Sequence, residues 1–105
     1  SIAIEFAPYG IRINALSPGL IDTLIWQQIQ GVAADKEAVV NHWMDNIPMG
    51  RVGTPQEMGQ VALYLASDEA SYVTGANILA DGGMTALLIN KERYASTALE
   101  GTYET

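Results

Sequence analysis

Few residues in this chain carry side chains that do chemistry, and the most promising ones act through their backbone. They are Pro18, Gly19, Ile21 and Thr23, in the run Gly10-Ile11-Arg12-Ile13-Asn14-Ala15-Leu16-Ser17-Pro18-Gly19-Leu20-Ile21-Asp22-Thr23. An apolar strand here runs into a Pro-Gly turn and then a polar loop. In α/β proteins the crevice beyond the carboxyl ends of parallel strands is where ligands bind. Proline fixes one backbone torsion and glycine presents no side chain, so a flat ligand could lie directly on the main chain. Taken alone, Pro-Gly is an ordinary strand-to-loop turn. Other chemistry is sparse. His42 is the single histidine; its type suits proton transfer near neutral pH, but a lone histidine on a helix is usually a surface or capping residue. Asp68 and Glu69 form an acidic pair without a histidine or cysteine beside it, so no metal site is expected.

The elements that position these residues follow from pattern. Residues 1–7 read as the end of a helix stopped by Pro8 and Gly10. Residues 11–16 alternate as a strand buried on one face. Residues 24–30 and 37–46 read as helices separated by Gly31, the second ended by Pro48. Thr54-Pro55-Gln56-Glu57 is a helix start: Thr54 caps, Pro55 suits the first position and Glu57 completes a capping box. Met58, Val61, Ala62 and Leu65 form its apolar stripe. Residues 76–80 read as a second strand, ended by Asp81-Gly82-Gly83, where Asp81 is expected to satisfy backbone donors of the turn. Arg51 is expected to pair with a neighbouring carboxylate.

Four segments, in order, resemble the short-chain dehydrogenase/reductase family. The run from Asn14 to Thr23 resembles its Asn-x-x-x-Pro-Gly-x-Ile-x-Thr segment, and Arg51-Val52-Gly53-Thr54-Pro55-Gln56-Glu57 its Arg-x-Gly-x-Pro-x-Glu turn. Leu65-Ala66-Ser67-Asp68-Glu69-Ala70-Ser71-Tyr72-Val73-Thr74-Gly75 resembles the stretch before its last strand, and Asp81-Gly82-Gly83 the terminal turn of that strand. The resemblance implies the C-terminal portion of a doubly wound, mostly parallel Rossmann-type sheet over residues 1–83, with a substrate flap at about 24–50 and a tail at 84–105 that makes subunit contacts. It implies that Pro18, Gly19, Ile21 and Thr23 contact the nicotinamide end of NAD or NADP. The carboxamide needs one donor and one acceptor in its plane, which the Ile21 backbone can supply; the Thr23 hydroxyl could bond the carboxamide or a phosphate oxygen. Acidic Asp22 is expected to point away from the pyrophosphate.

The same resemblance puts catalysis elsewhere. None of Tyr9, Tyr64, Tyr72, Tyr94 and Tyr103 is followed four residues later by lysine, and no Gly-x-x-x-Gly-x-Gly occurs. No catalytic residue is therefore assigned, and the family's phosphate loop and Tyr-x-x-x-Lys pair are expected in a preceding part of the enzyme. The complete enzyme would interconvert a secondary alcohol and its ketone. Trp26 and Trp43 in the flap are candidate substrate contacts, or else they pack the flap onto the body. Gln27, Gln28, His42 and Asn46 around them lean the substrate toward a sugar or polyol; a 3-oxoacyl thioester and a steroid-like ketone are the alternatives. A non-catalytic interaction or assembly module is the competing function.

Composition bounds the partners. A net charge of −7 with five lysines and arginines argues against nucleic acid or an anionic membrane surface. No apolar run reaches a membrane span, and residues 1–7 lack the basic lead of a secretory signal. The absence of cysteine suits a cytoplasmic protein. An apolar patch at Met84, Ala86, Leu87, Leu88 and Ile89 needs cover, and a homo-oligomer, in the family commonly a tetramer, is expected to provide it.

Overall fold

The structure, a computed structural model, describes residues 1–87. From the sequence, residues 91–99 also read as a helix; these and most of the tail lie outside the described residues. Helix α1 (Ile2–Phe6) opens the chain, capped by the Ser1 hydroxyl, which accepts from the Ala3 N–H. A 3₁₀ turn over Ala7–Tyr9 follows and closes on Gly10 at φ 74°, where the left-handed backbone suits glycine.

Strand β1 (Ala15–Pro18) pairs in parallel with β2 (Asn77–Ala80), in the register Ala15 with Asn77 through Pro18 with Ala80. The strand expected at 11–16 thus starts and ends later. Side chains claim the approach to it. The Arg12 guanidinium donates to the carbonyls of Ser67 and Val73, each at 3.1 Å. Asn14 donates to Val73 O and accepts from Ala76 N–H, each at 3.0 Å, and the Thr74 hydroxyl accepts from Ile13 N–H at 3.1 Å. Residues 12–14 are therefore clipped to the loop before β2, and the regular ladder begins only past it. Ala15 N–H at the start of β1 donates to Ala76 O, and Gly19 N–H just past its end donates to Ala80 O. The alternation of a strand turns the Pro18 nitrogen to the opposite edge, where a missing N–H costs the ladder nothing.

Helices α2 (Leu24–Val32) and α3 (Lys36–Asp45) form the flap and pack on each other. α2 runs through Gly31, which has open space around it, and stops where Ala33 turns extended. α3 starts at the Asp35 cap, one residue before the expected 37. Helix α4 (Pro55–Ala66) opens with the expected capping box, and of its stripe Met58, Val61 and Leu65 are half-buried while Ala62 is exposed. Among the described residues the buried apolar ones are few: Ala3, Trp26, Ile47 and Ala70. Leu24, Ile25, Val32 and Leu63 are each more than 65% exposed. No described helix is long and apolar enough to cross a membrane.

Candidate functional site

The segment leaving β1 is fixed from two sides. On one side stands the turn after β2. Gly19 donates to Ala80 O at 3.0 Å, and a Cβ at position 19 would lie 2.6 Å from the Asp81 Cβ and 2.7 Å from its Cα. The space in the Cβ direction of Gly19 is thus filled by Asp81. Asp81 is itself held: its carboxylate accepts from the N–H groups of Gly83 and Thr85, each at 3.0 Å, and from the Thr85 hydroxyl. The Thr85 hydroxyl first, then these backbone donors, hold the Asp81 carboxyl below its ordinary pKa.

On the other side stands the loop before α4. Gly53 donates to Leu20 O at 2.9 Å, and its carbonyl accepts from Asp22 N–H at 2.8 Å. This is a one-residue parallel bridge between Ile21 and Gly53. In such a bridge the two residues flanking Ile21 make the bonds, and the alternation of extended backbone turns Ile21's own N–H and C=O the other way. Among the described residues neither group has a partner. A donor and an acceptor thus stand side by side on one residue, the pair that a planar primary amide needs. A Cβ on Gly53 would sit 2.9 Å from the Ile21 Cδ1, so glycine there lets the two segments approach.

Gly53 is positioned by a polar knot. Arg51 forms a two-pronged ion pair with Glu57, Nη1 to Oε1 and Nη2 to Oε2, each at 2.8 Å. The same carboxylate accepts from Thr54 N–H at 3.0 Å, and the Thr54 hydroxyl accepts from Glu57 N–H at 3.1 Å. The Arg51 hydrogen bond, then the Thr54 N–H, pull the Glu57 carboxyl down to a pKa of about 2; the same bond raises that of Arg51.

Thr23 is the exposed N-cap of α2, and its hydroxyl makes no capping bond. Asp22 is exposed, with the Gln27 amide 3.5 Å from its carboxylate. In the flap, Trp26 is 4% exposed, whereas Trp43 is half-buried with its ring edge-on to His42, centroids 5.9 Å apart. The Asn46 amide donates to His42 O at 2.8 Å, committing it to the end of α3. Of the polar flap groups, Gln28 and His42 make no side-chain hydrogen bond among the described residues. Those residues also hold no cluster of three or more potential metal ligands.

Sequence reasoning overlooked the flap's anchor. Ile47 is the most enclosed large side chain, at 1% exposure. It sits against Gly82 (φ 64°), where a Cβ would lie 2.8 Å from the Ile47 Cγ2, and Pro48 sits against Gly83 (φ 93°). Met49 N–H donates to Gly82 O at 3.0 Å. The diglycine is the sequence signal: two successive positive φ angles make a concave seat for Ile47 and Pro48. A groove of about 780 Å³ runs between α4 and β2; Val61, Tyr64, Leu79 and Ala86 stand in its walls together with Gly53 and Gly82 of the site, and neither tryptophan does.

Residues 1–85 match the family model described as enoyl-(acyl carrier protein) reductase. The 2-keto-3-deoxy-L-fuconate dehydrogenase of Xanthomonas campestris pv. campestris is 43% identical over 84 residues, covering 79% of this chain and 28% of that protein. Ligand-free aldohexose dehydrogenase of Thermoplasma acidophilum superposes with a TM-score of 0.71 at 36% identity, covering 82% of this chain and 35% of the other. YwfH, an NADPH-dependent reductase involved in bacilysin biosynthesis, gives 0.72 at 42% identity, covering 79% and 33%. The chain spans about a third of the length of the curated relatives it matches.

Proposed function

Because this chain belongs to the short-chain dehydrogenase/reductase family, with its parallel pair part of that family's Rossmann-type sheet, we propose that it forms one portion of an NAD(P)-dependent oxidoreductase. The reaction is interconversion of a secondary alcohol and its ketone. The observation that carries this reading is Ile21, whose N–H and C=O are turned away from the Gly53 bridge and left without partners among the described residues. The fit to a nicotinamide carboxamide is a matter of donor set: one N–H and one C=O on the same extended residue. When bound, the nicotinamide gives or takes the hydride. In this chain Ile21 orients the carboxamide, Pro18 and Gly19 fix the path of the backbone into it, and Thr23 offers its free hydroxyl to the same ligand. Proton transfer falls to groups beyond these 105 residues, since no tyrosine here has lysine four residues on.

The substrate class is a sugar, polyol or sugar acid. Two of the matched proteins are named for such substrates, a 2-keto-3-deoxy-L-fuconate and an aldohexose, and Gln28 and His42 are among the flap's uncommitted polar groups. Trp43, half-buried, has surface to offer a substrate, and Trp26 serves mainly to pack the flap. The protein works in the cytoplasm as a homo-oligomer, with β2 and the tail at the subunit contact.

The test is titration of the natively purified protein with NAD and NADP, followed by turnover on sugars, polyols, sugar acids and 3-oxoacyl thioesters. Binding of either cofactor, lost on Ile21→Pro, which deletes the free N–H, is the expected result. A natively occurring species of 11.3 kDa that binds neither cofactor would overturn the reading and favour an assembly module. Turnover confined to thioesters would instead correct the substrate class.

A further inference from the structure

We propose that Glu57 is a positioning residue for the nicotinamide floor, acting through Gly53 on Ile21. The inference rests on the proposed cofactor role of Ile21. Glu57 stands on α4 and touches no part of that floor directly. Its carboxylate instead takes up four donors of the preceding loop: both Nη atoms of Arg51, the Thr54 N–H and the Thr54 hydroxyl. Arg51 closes the loop further by donating to Val52 O at 3.1 Å. The knot spans residues 51–54 and so fixes Gly53, which lies inside it. Gly53 then makes both bonds that hold the segment after β1, to Leu20 O and from Asp22 N–H. Those bonds set the rotation of the peptide groups around Ile21, and with it the direction of the free N–H and C=O. An amide ligand bonds both groups only if they stay coplanar with it, so slack in the 51–54 loop becomes misalignment at Ile21.

The knot is more than a helix cap. Capping requires the Thr54 hydroxyl and one Glu57 oxygen. The bidentate Arg51 pair adds a charged, directional bond to a residue that α4 does not contain, and its geometric effect falls on the loop.

The experiment compares NAD(P) with ADP-ribose, which keeps the adenine end and lacks the nicotinamide. Affinities are measured on the native full-length protein for wild type, Glu57→Ala, Glu57→Gln and Thr54→Ala, with thermal melting for each. The expected result is a loss of roughly threefold to tenfold in affinity for NAD(P) in Glu57→Ala, the size of one weakened hydrogen bond, with ADP-ribose affinity unchanged. Glu57→Gln, which keeps the cap acceptor but loses the ion pair, falls between. Thr54→Ala, which removes the hydroxyl bonds to Glu57 and leaves the Arg51 pair, lowers the melting temperature and changes the NAD(P)-to-ADP-ribose ratio less than Glu57→Ala does. A ratio in Glu57→Ala equal to that of wild type, or an equal loss for both ligands, overturns the proposal. A wild type that binds NAD(P) no better than ADP-ribose overturns the cofactor role of Ile21 itself, and is told apart because it appears before any substitution.

Discussion

Replacing Gly19 by alanine separates two reasons for a glycine at the end of β1. If the position is glycine so that a ligand can reach the backbone, Gly19→Ala damages binding and spares the fold. The structure gives the other answer. The new Cβ would stand 2.6 Å from the Asp81 Cβ and 2.7 Å from its Cα, about 1 Å inside the 3.5–4.0 Å at which carbon atoms pack best. One of those atoms is backbone and the other is fixed through Gly83 and Thr85, so neither can rotate aside. β1 and β2 must part at their carboxyl ends. Overpacking of this kind costs about 1–3 kcal/mol, and the Gly19 N–H to Ala80 O bond, stretched as the strands separate, adds about 0.5–1.5 kcal/mol. The sum is roughly 1.5–4.5 kcal/mol, read as a lower denaturant midpoint at unchanged slope. Gly59, inside α4 with no atom within 4 Å of a built Cβ, is the matched control: Gly59→Ala is expected to stabilise by about 0.5–1 kcal/mol, since alanine loses less chain entropy in a helix. A Gly19→Ala protein with a wild-type midpoint and weakened cofactor binding would refute the Asp81 argument and restore the ligand one.

Three other outcomes are expected. Gly82→Ala places a methyl group 2.8 Å from the Ile47 Cγ2 on a left-handed backbone, a conformation that costs about 1–2 kcal/mol for alanine; limited proteolysis within residues 24–50 should quicken, and an unchanged cleavage rate would show that the diglycine does not seat the flap. The Glu57 carboxyl titrates at about 2 in the folded protein against an ordinary 4.5, so its stabilising effect is complete above pH 4.5 and is lost as pH falls through about 2; the stabilities of wild type and Glu57→Gln should differ at neutral pH and converge in acid, and a constant gap would refute the linkage. Trp26→Ala opens a cavity in the flap and should cost about 3–5 kcal/mol, whereas Trp43→Ala should act mainly on the KM for substrate; equal loss of stability in both would remove the distinction.

What could be read from the sequence was whatever is decided within a few residues. The Thr54–Glu57 box is such a case, because its partners are three positions apart and the bonds form wherever a helix starts there. So is Asp81, whose acceptors serve donors two and four residues on. The start of β1 was misplaced because Arg12 and Asn14 are engaged by residues about 60 positions away, a distance at which side-chain bonds leave no periodicity. α2 passes through Gly31 for a related reason: nothing packs there, so the helix pays only glycine's small propensity penalty. Gly19 is singled out by its place in a Pro-Gly turn, yet the neighbour its Cβ would meet is Asp81, about 60 positions on. Which neighbour requires a glycine is a fact of tertiary approach, and no local pattern carries it.

The balance of buried and exposed surface follows from the sheet. Parallel strands are normally covered on both faces and flanked on both edges, and β1 has one partner among the described residues. Its other edge carries Pro18, which lacks a donor, so this edge is poorly suited to extend a ladder at its carboxyl end and well suited to end one there. The apolar side chains of α1 and α2 are exposed in proportion: Ile4 is 73% and Ile25 70% accessible. Helices this apolar on their open sides are stable when another layer covers them. The one region where the described residues already build a complete polar arrangement is the strand-end loop: Gly19 on Asp81, Gly53 on Leu20 and Asp22, Arg51 on Glu57. Each of these bonds or contacts fixes backbone around Ile21, whose own N–H and C=O have no partner among the described residues.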